Sequence, residues 1–188
     1  MSAEGIESAD VVVWGDGSRF AQQIAVGPHR LNGDEPERVG GTGTGPSPYD
    51  FLLAALGSCT SMTVGMYARH KNWPLERVTV WLRHSKIYAA DCSECETKEG
   101  MLDRIERDVR FDGPLTLEQR SRLLEIANKC PVHRTLTSEI NIRTRALIDR
   151  ALLQIRVLHN KTLRIPRHAI VAPENLEMSE RMWLILPS

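Results

Sequence analysis

Apolar and polar residues are arranged along the chain so that strands are predicted on both sides of one long apolar helix. The short apolar run 11–14 is followed by Asp16 and Gly17, which form a strong hairpin-turn signal. Residues 19–26 are then predicted to return as a second strand. Residues 27–48 are rich in glycine and proline, which predicts a long loop with room for one short strand near its start.

The loop leads into the most apolar segment of the sequence. Ser47 can cap a helix with Pro48 at its first position, and the helix is predicted to run to about His70. Residues 51–68 contain no charge, and this length is near the lower limit for a helix that spans a membrane. Interspersed glycine, serine and threonine dilute its hydrophobicity, which favours the central buried helix of a globular domain.

The second half of the chain predicts two more strands and another helix. Residues 77–88 and 103–111 alternate between apolar and polar positions, as half-buried strands do. Thr116 and Gln119 form a capping box that opens a helix, and a last strand is predicted near 139–143. Hairpins beside helices favour an α+β domain with a largely antiparallel sheet.

Composition narrows the setting in which this domain works. The chain has 24 basic and 24 acidic residues, so its charge gives no case for binding nucleic acid or a membrane surface. The acidic N-terminus lacks the basic region of a signal peptide, and four cysteines without such a signal suggest a reducing, cytoplasmic compartment. We expect one domain over residues 1–144 and an extension of unknown role over residues 145–188.

Two cysteines lie in or next to predicted helices. Cys59 lies in the apolar helix among small polar residues, and Cys130 lies at the end of the next helix, before Pro131. Free cysteine is a common buried residue, so from this stretch alone an inert thiol is the simpler interpretation of Cys59. Whether Cys59 and Cys130 meet in space cannot be decided from their spacing.

The other two cysteines, Cys92 and Cys95, form a C-x-x-C in an acidic loop. This spacing suits either a redox pair or part of a metal site. A zinc site needs about four ligands, and the sequence offers no second C-x-x-C or paired histidines. The glycine-rich loop also lacks a nucleotide-binding pattern, so we expect no cofactor and keep Cys92 and Cys95 only as weak metal candidates.

Two segments together resemble a known family. GTGPSPYDFLLAALGSCTSMTVGMYA is similar to the central-helix signature of the OsmC/Ohr superfamily of peroxide-reducing thiol proteins, and KCPVHRTLTSEINI is similar to its second-cysteine segment. The resemblance covers residues 10–144. It implies an α+β fold, an intertwined homodimer and active sites at the subunit interface. It also implies that Cys59 is the peroxidatic thiol and Cys130 the resolving thiol, with an external dithiol as reductant.

The family also uses an arginine and a carboxylate. Arg19, after the first hairpin turn, best matches the arginine, and Arg38 on the glycine loop is a weaker candidate. Better-characterised members carry glutamate ten residues before the first cysteine, where this chain has Tyr49 followed by Asp50. Asp50 either takes the role of that glutamate or is simply a first-turn carboxylate favoured by the helix dipole.

The expected activity is therefore the reduction of organic hydroperoxides by Cys59 and Cys130. An organic substrate is favoured because Leu, Met and Val line the predicted helix around Cys59. The alternative is a catalytically weak module that senses redox state or binds a metal or ligand through Cys92 and Cys95. A third hypothesis is a structural dimer whose buried thiols are inert.

Overall fold

The computed structural model describes residues 9–145 of the chain. The helical stripe that the sequence predicts near the start of the C-terminal extension lies outside these residues. Within them, the fold is α+β: a three-stranded antiparallel sheet, a long helix, a two-stranded antiparallel sheet and two further helices. The predicted fold class is confirmed.

The N-terminal sheet contains strands β1 (Val11–Trp14), β2 (Gln22–Val26) and β3 (His29–Gly33), paired in that order. The predicted hairpin is present, although β2 begins three residues later than expected. Gly27 adopts a positive φ of 54°, which allows the tight turn between β2 and β3.

A buried carboxylate organises the loop between β3 and the long helix. Asp34 is 3% exposed, and one of its oxygens accepts hydrogen bonds from the backbone N–H and hydroxyl groups of both Thr42 and Thr44. Its second oxygen accepts from the N–H of Glu35. Gly41 passes so close to Glu35 that a Cβ there would lie 1.7 Å from the Glu35 carbonyl oxygen. The loop is therefore tightly closed.

Helix α1 (Pro48–His70) has Ser47 as its N-cap and Pro48 at its first position, as predicted. One stripe of α1 is buried, and the residues on it are Leu56, Thr60, Val64 and Ala68. Among the described helices, α1 alone is long and apolar enough to cross a membrane, judged by length and composition only. Its most apolar window is 22% buried, and Met62 and Met66 on another face are exposed. Because its buried stripe packs into the domain, we interpret α1 as a core helix.

The remaining elements close the core over that stripe. Strands β4 (Arg77–Tyr88) and β5 (Met101–Asp112) pair antiparallel along their full lengths. Helix α2 (Leu117–Ala127) begins with the predicted capping box at Thr116, and the short helix α3 (Pro131–Leu136) follows it. The core residues are Val64, Ala68, Phe111, Leu123, Ile126 and Ala127.

The predicted strand at 139–143 is wrong for this chain. These residues have no strand conformation, and Ile140 and Ile142 are 51% and 83% exposed. A strand needs hydrogen-bonding partners on a neighbouring strand, and none of the strands within residues 9–145 pairs with this segment.

Candidate thiol site

The fold brings Cys59 and Cys130 together. Cys59 projects from the middle of α1 and is half-buried, whereas Cys130 has no exposed surface. Cys130 is the N-cap of α3, so α2 and α3 together determine its position. The Cys59 side chain is near enough to Cys130 to help lower the pKa of the Cys130 thiol. Two residues on different helices thus form one dithiol site.

Polar groups of the protein surround the Cys130 sulfur. The backbone N–H of His133 donates to it at 3.3 Å. The hydroxyl oxygen of Thr60, which is also fully buried, lies 3.6 Å away. Thr60 comes directly after Cys59 on α1, so the same turn of the helix supplies the Cys59 thiol and the Thr60 hydroxyl.

Arg107 places a positive charge behind Thr60. One guanidinium nitrogen of Arg107 donates to the Thr60 hydroxyl oxygen at 2.8 Å, and another donates to the side-chain carbonyl of Asn128 at 2.7 Å. The sequence analysis missed this arginine. The available signal was its parity on β5, because Arg107 lies between Ile105 and Val109 on the face that points into the domain.

These surroundings shift the ionisation of the site. Burial raises the pKa of the Cys130 thiol, but hydrogen bonds from Thr60, His133 and Cys59, together with the charge of Arg107, lower that pKa below its ordinary value. Burial, and then the charge of Arg107, lower the pKa of the His133 imidazole. The imidazole is therefore neutral at neutral pH. Arg107 supplies the positive charge that favours the Cys130 thiolate.

Comparison with known proteins agrees with this geometry. Residues 41–145, more than half of the chain, match the family model described as OsmC-like protein. The chain belongs to the OsmC-like family. The predicted resemblance is thereby confirmed, and the matched range contains Cys59, Cys130 and Arg107.

Solved structures show the same fold. The chain is similar to an OsmC-like protein from Mycoplasma pneumoniae, with a TM-score of 0.54 and 18% identity over 71% of this chain and 93% of that one. It is also similar to the organic hydroperoxide resistance protein OhrB of Bacillus subtilis, with a TM-score of 0.50 and 17% identity over 72% and 95% of the two chains. A search of curated proteins found no match.

In this OsmC-like protein, Asp50 is engaged at the start of α1. One of its carboxylate oxygens accepts hydrogen bonds from the backbone N–H of Ser47 at 2.9 Å and from the Ser47 hydroxyl at 2.7 Å. This is a capping box, in which the Ser47 side chain also accepts from the Asp50 N–H. The carboxylate therefore has a structural use, and the described contacts do not join it to either thiol.

Tyr49, at the position of the family glutamate, is an aromatic stacking partner here. Its ring stacks on His84 with 4.1 Å between centroids and 16° between planes. The Nε2 atom of His84 lies 2.8 Å from a carboxylate oxygen of Asp103, which holds the imidazole in place. This side chain is thus turned towards β4 and β5.

The structure does not bring the two predicted arginines to the thiols within residues 9–145. Arg19 is exposed in the connection between β1 and β2, close to Asp16. Arg38 is exposed on a 3₁₀ turn, Glu37–Val39, in the glycine-rich loop. The role of Arg19 stays a prediction. The arginine that lies beside the thiol site is Arg107, which donates to the Thr60 hydroxyl oxygen.

The C-x-x-C lies in the loop between β4 and β5, where Cys92 and Cys95 are joined by a disulfide with 5.4 Å between Cα atoms. Within residues 9–145, no group of three or more His, Cys, Asp and Glu side chains is arranged to hold a metal ion. Cys92 and Cys95 are bonded to each other, and a disulfide sulfur is not the thiolate that zinc requires.

Proposed function

We propose that this OsmC-like protein reduces organic hydroperoxides with Cys59 and Cys130. The observation that carries the proposal is the meeting of Cys59 and Cys130, one half-buried on α1 and one fully buried beside it. Both sulfurs are free, and a disulfide-forming pair needs two thiols within reach of each other. The name of the Bacillus subtilis neighbour, an organic hydroperoxide resistance protein, supports the same chemistry.

The proposed reaction divides between the two sulfurs. The Cys59 thiolate attacks the terminal oxygen of the hydroperoxide, the O–O bond breaks, and the alkoxide leaves with the electron pair and takes up a proton. Cys59 is then a sulfenic acid. Cys130 attacks its sulfur, forms the disulfide and expels the oxygen as water. An external dithiol reduces the disulfide by exchange and completes the cycle.

The experiment is a turnover assay with cumene hydroperoxide and an external dithiol. We expect the wild-type protein to consume peroxide, Cys59→Ser to be inactive, and Cys130→Ser to lose turnover because the sulfenic acid cannot be resolved. Ser58→Ala, a change on the neighbouring exposed position of α1, is the matched control. Peroxide consumption no faster than that of Cys59→Ser would refute the proposal.

We also propose that the working unit is a homodimer. Large apolar side chains that are at least 44% exposed lie along α1 and the two sheets. They include Trp14, Met62, Met66 and Trp81. Exposed apolar groups of this number are typical of a protein interface. Sedimentation of wild type and of a Met62→Lys, Met66→Lys variant tests this: a monomeric wild type would refute it.

A second candidate function is redox sensing by the Cys92–Cys95 pair, and the disulfide between them favours it over metal binding. Replacing both by serine should leave peroxide turnover unchanged if the pair only senses. Equilibration with dithiol buffers should convert the pair between disulfide and dithiol. Stoichiometric zinc in the reduced protein, lost in Cys92→Ser, would instead support a metal site.

A cytoplasmic location fits the two free thiols, Cys59 and Cys130, and it stays a prediction.

A further inference from the structure

Arg107 joins three elements of the fold at one point. Its partly buried side chain extends from β5. One guanidinium nitrogen donates at 2.8 Å to the hydroxyl oxygen of Thr60 on α1, and another donates at 2.7 Å to the side-chain oxygen of Asn128, the C-cap of α2. Because the guanidinium is planar and rigid, it fixes the direction of both hydrogen bonds. It therefore holds the end of α2 in a defined place beside α1.

The contact with Thr60 anchors this link inside the domain. Thr60 has no exposed surface, and its hydroxyl oxygen lies 2.7 Å from the carbonyl oxygen of Leu56, one turn earlier on α1. A hydroxyl can donate one proton and still accept, so Thr60 can donate to Leu56 while it accepts from Arg107. A buried group that loses its hydrogen-bonding partner costs more than an exposed one. Arg107 is thus tied firmly to α1.

The chain from Asn128 to Cys130 is coupled to the end of α2. The backbone N–H groups of residues 128–130 donate to carbonyl oxygens in the last turn of that helix. Cys130 then caps α3, and its sulfur lies 3.6 Å from the Thr60 hydroxyl oxygen. A displacement of Asn128 would therefore move the Cys130 sulfur away from the turn of α1 that carries Thr60.

We propose that Arg107 is a positioning residue for the step in which Cys130 attacks oxidised Cys59. By tying Asn128 to Thr60, it keeps Cys130 beside the turn of α1 that also carries Cys59. Its hydrogen bonds go to the oxygens of Thr60 and Asn128, so it acts on the thiol through them. The proposal rests on the proposed division of work between the two sulfurs.

The test measures disulfide closure without peroxide in the reduced full-length protein, in a Cys92→Ser, Cys95→Ser background. The Cys59 thiolate attacks the aromatic disulfide dithiobis(nitrobenzoate), whose S–S bond breaks, and one thionitrobenzoate leaves. The Cys130 thiolate then attacks the Cys59 sulfur, forms the disulfide and releases a second thionitrobenzoate. The absorbance of this second release gives the closure rate. A wild-type protein that releases only one thionitrobenzoate would overturn the proposal.

Rates are compared on the alkaline plateau, where thiol ionisation no longer limits the reaction. Arg107→Met should slow closure about tenfold or more, because both hydrogen bonds are lost and Cys130 is misplaced. Arg107→Lys keeps the charge but not the rigid fork, and it should stay about fivefold slower than wild type. Closure of Arg107→Lys at the wild-type rate would overturn the proposal, since the charge alone would then suffice.

Asn128 offers a second test, because its exposed side chain can be replaced without opening the core. Asn128→Ala should slow closure about fivefold, and Asn128→Asp, which keeps an acceptor oxygen, should close faster than Asn128→Ala. In an Arg107→Met background, Asn128→Ala should have no further effect, because both changes remove the same hydrogen bond. Fully additive effects of the two changes would overturn the proposal.

Two other arginines provide controls. Arg104→Met, on the exposed face of β5, is the matched control and should close at the wild-type rate. Arg120→Met removes hydrogen bonds between the other end of α2 and the end of β5. If it slows closure as much as Arg107→Met, general stability explains the effect and the proposal is overturned. Normal closure in a wild type that consumes no hydroperoxide would refute the proposed function and leave the role of Arg107 in closure standing.

Discussion

Replacing Leu123 by alanine tests whether buried contacts between α1 and α2 keep the Cys130 thiol inaccessible to solvent. Leu123 has no exposed surface and packs in the core with Val64 and Phe111. Losing a fully buried leucine side chain and leaving its cavity costs about 3 kcal/mol. The neighbouring Leu124 is 50% exposed, so the same truncation there should cost less than about 1 kcal/mol.

The stability change converts into a reaction rate at the site. A small alkylating reagent can reach Cys130 only when the surrounding helices open, because the thiol has no exposed surface. When opening and closing are fast relative to alkylation, the rate follows the open fraction. A loss of about 3 kcal/mol raises that fraction by about 150-fold. Leu124→Ala should raise it by less than about fivefold.

The assay measures both quantities at one protein concentration, since association would otherwise change the apparent stability. Urea unfolding gives the free energy of unfolding, and mass spectrometry of iodoacetamide-treated protein gives the alkylation rate of the peptide that contains Cys130. The reasoning fails if Leu123→Ala and Leu124→Ala accelerate alkylation equally. It also fails if wild-type Cys130 reacts as fast as a thiol in the urea-unfolded chain.

Three further changes test the elements that surround the site. Hydrogen bonds led by that from Thr42 lower the pKa of Asp34 well below its usual value, so its stabilising effect is present above about pH 4 and is lost as pH falls through the folded pKa. Asp34→Asn should therefore flatten the acid dependence of the urea midpoint, and a midpoint as acid-sensitive as wild type would contradict this. Gly41→Ala places a Cβ 1.7 Å from a backbone oxygen and should cost more than about 2 kcal/mol, whereas Gly43→Ala, with a positive φ and open space, should cost about 1 kcal/mol; equal urea midpoints would count against the close approach. Arg120→Met removes hydrogen bonds to the backbone carbonyls of Phe111 and Gly113 at the end of β5 and should lower the unfolding free energy by about 1–2 kcal/mol, which thermal unfolding can detect; an unchanged melting temperature would show that water replaces them.

Local signals in the sequence predict much of the fold. The N-cap residue Ser47 and the capping box at Thr116 mark the first turns of α1 and α2, and the structure forms both. The alternation over residues 77–88 predicts β4 at its observed bounds, because the side-chain period of a strand is directly visible in the sequence. These features depend on residues within a few positions of one another.

The parts that the sequence could not predict depend on residues far apart in the chain. The approach of Cys59 to Cys130 depends on how α2 packs against α1, and spacing alone does not specify that packing. Arg107 was missed because a charged residue within a run of alternating charges looks like another exposed position. The strand predicted at 139–143 failed because its local pattern is correct but no described strand pairs with it.

The departure at Tyr49 and Asp50 and the presence of Arg107 fit one physical explanation. The family resemblance implies that a carboxylate at the start of α1 orients the arginine that stabilises the thiolate. Here Asp50 is occupied by the helix cap, and Tyr49 stacks on His84. An arginine on β5 has no need of that carboxylate, because its guanidinium is oriented by the oxygens of Thr60 and Asn128. Arg107 on β5 can therefore supply a positive charge beside the thiols although the first turn of α1 offers no free carboxylate.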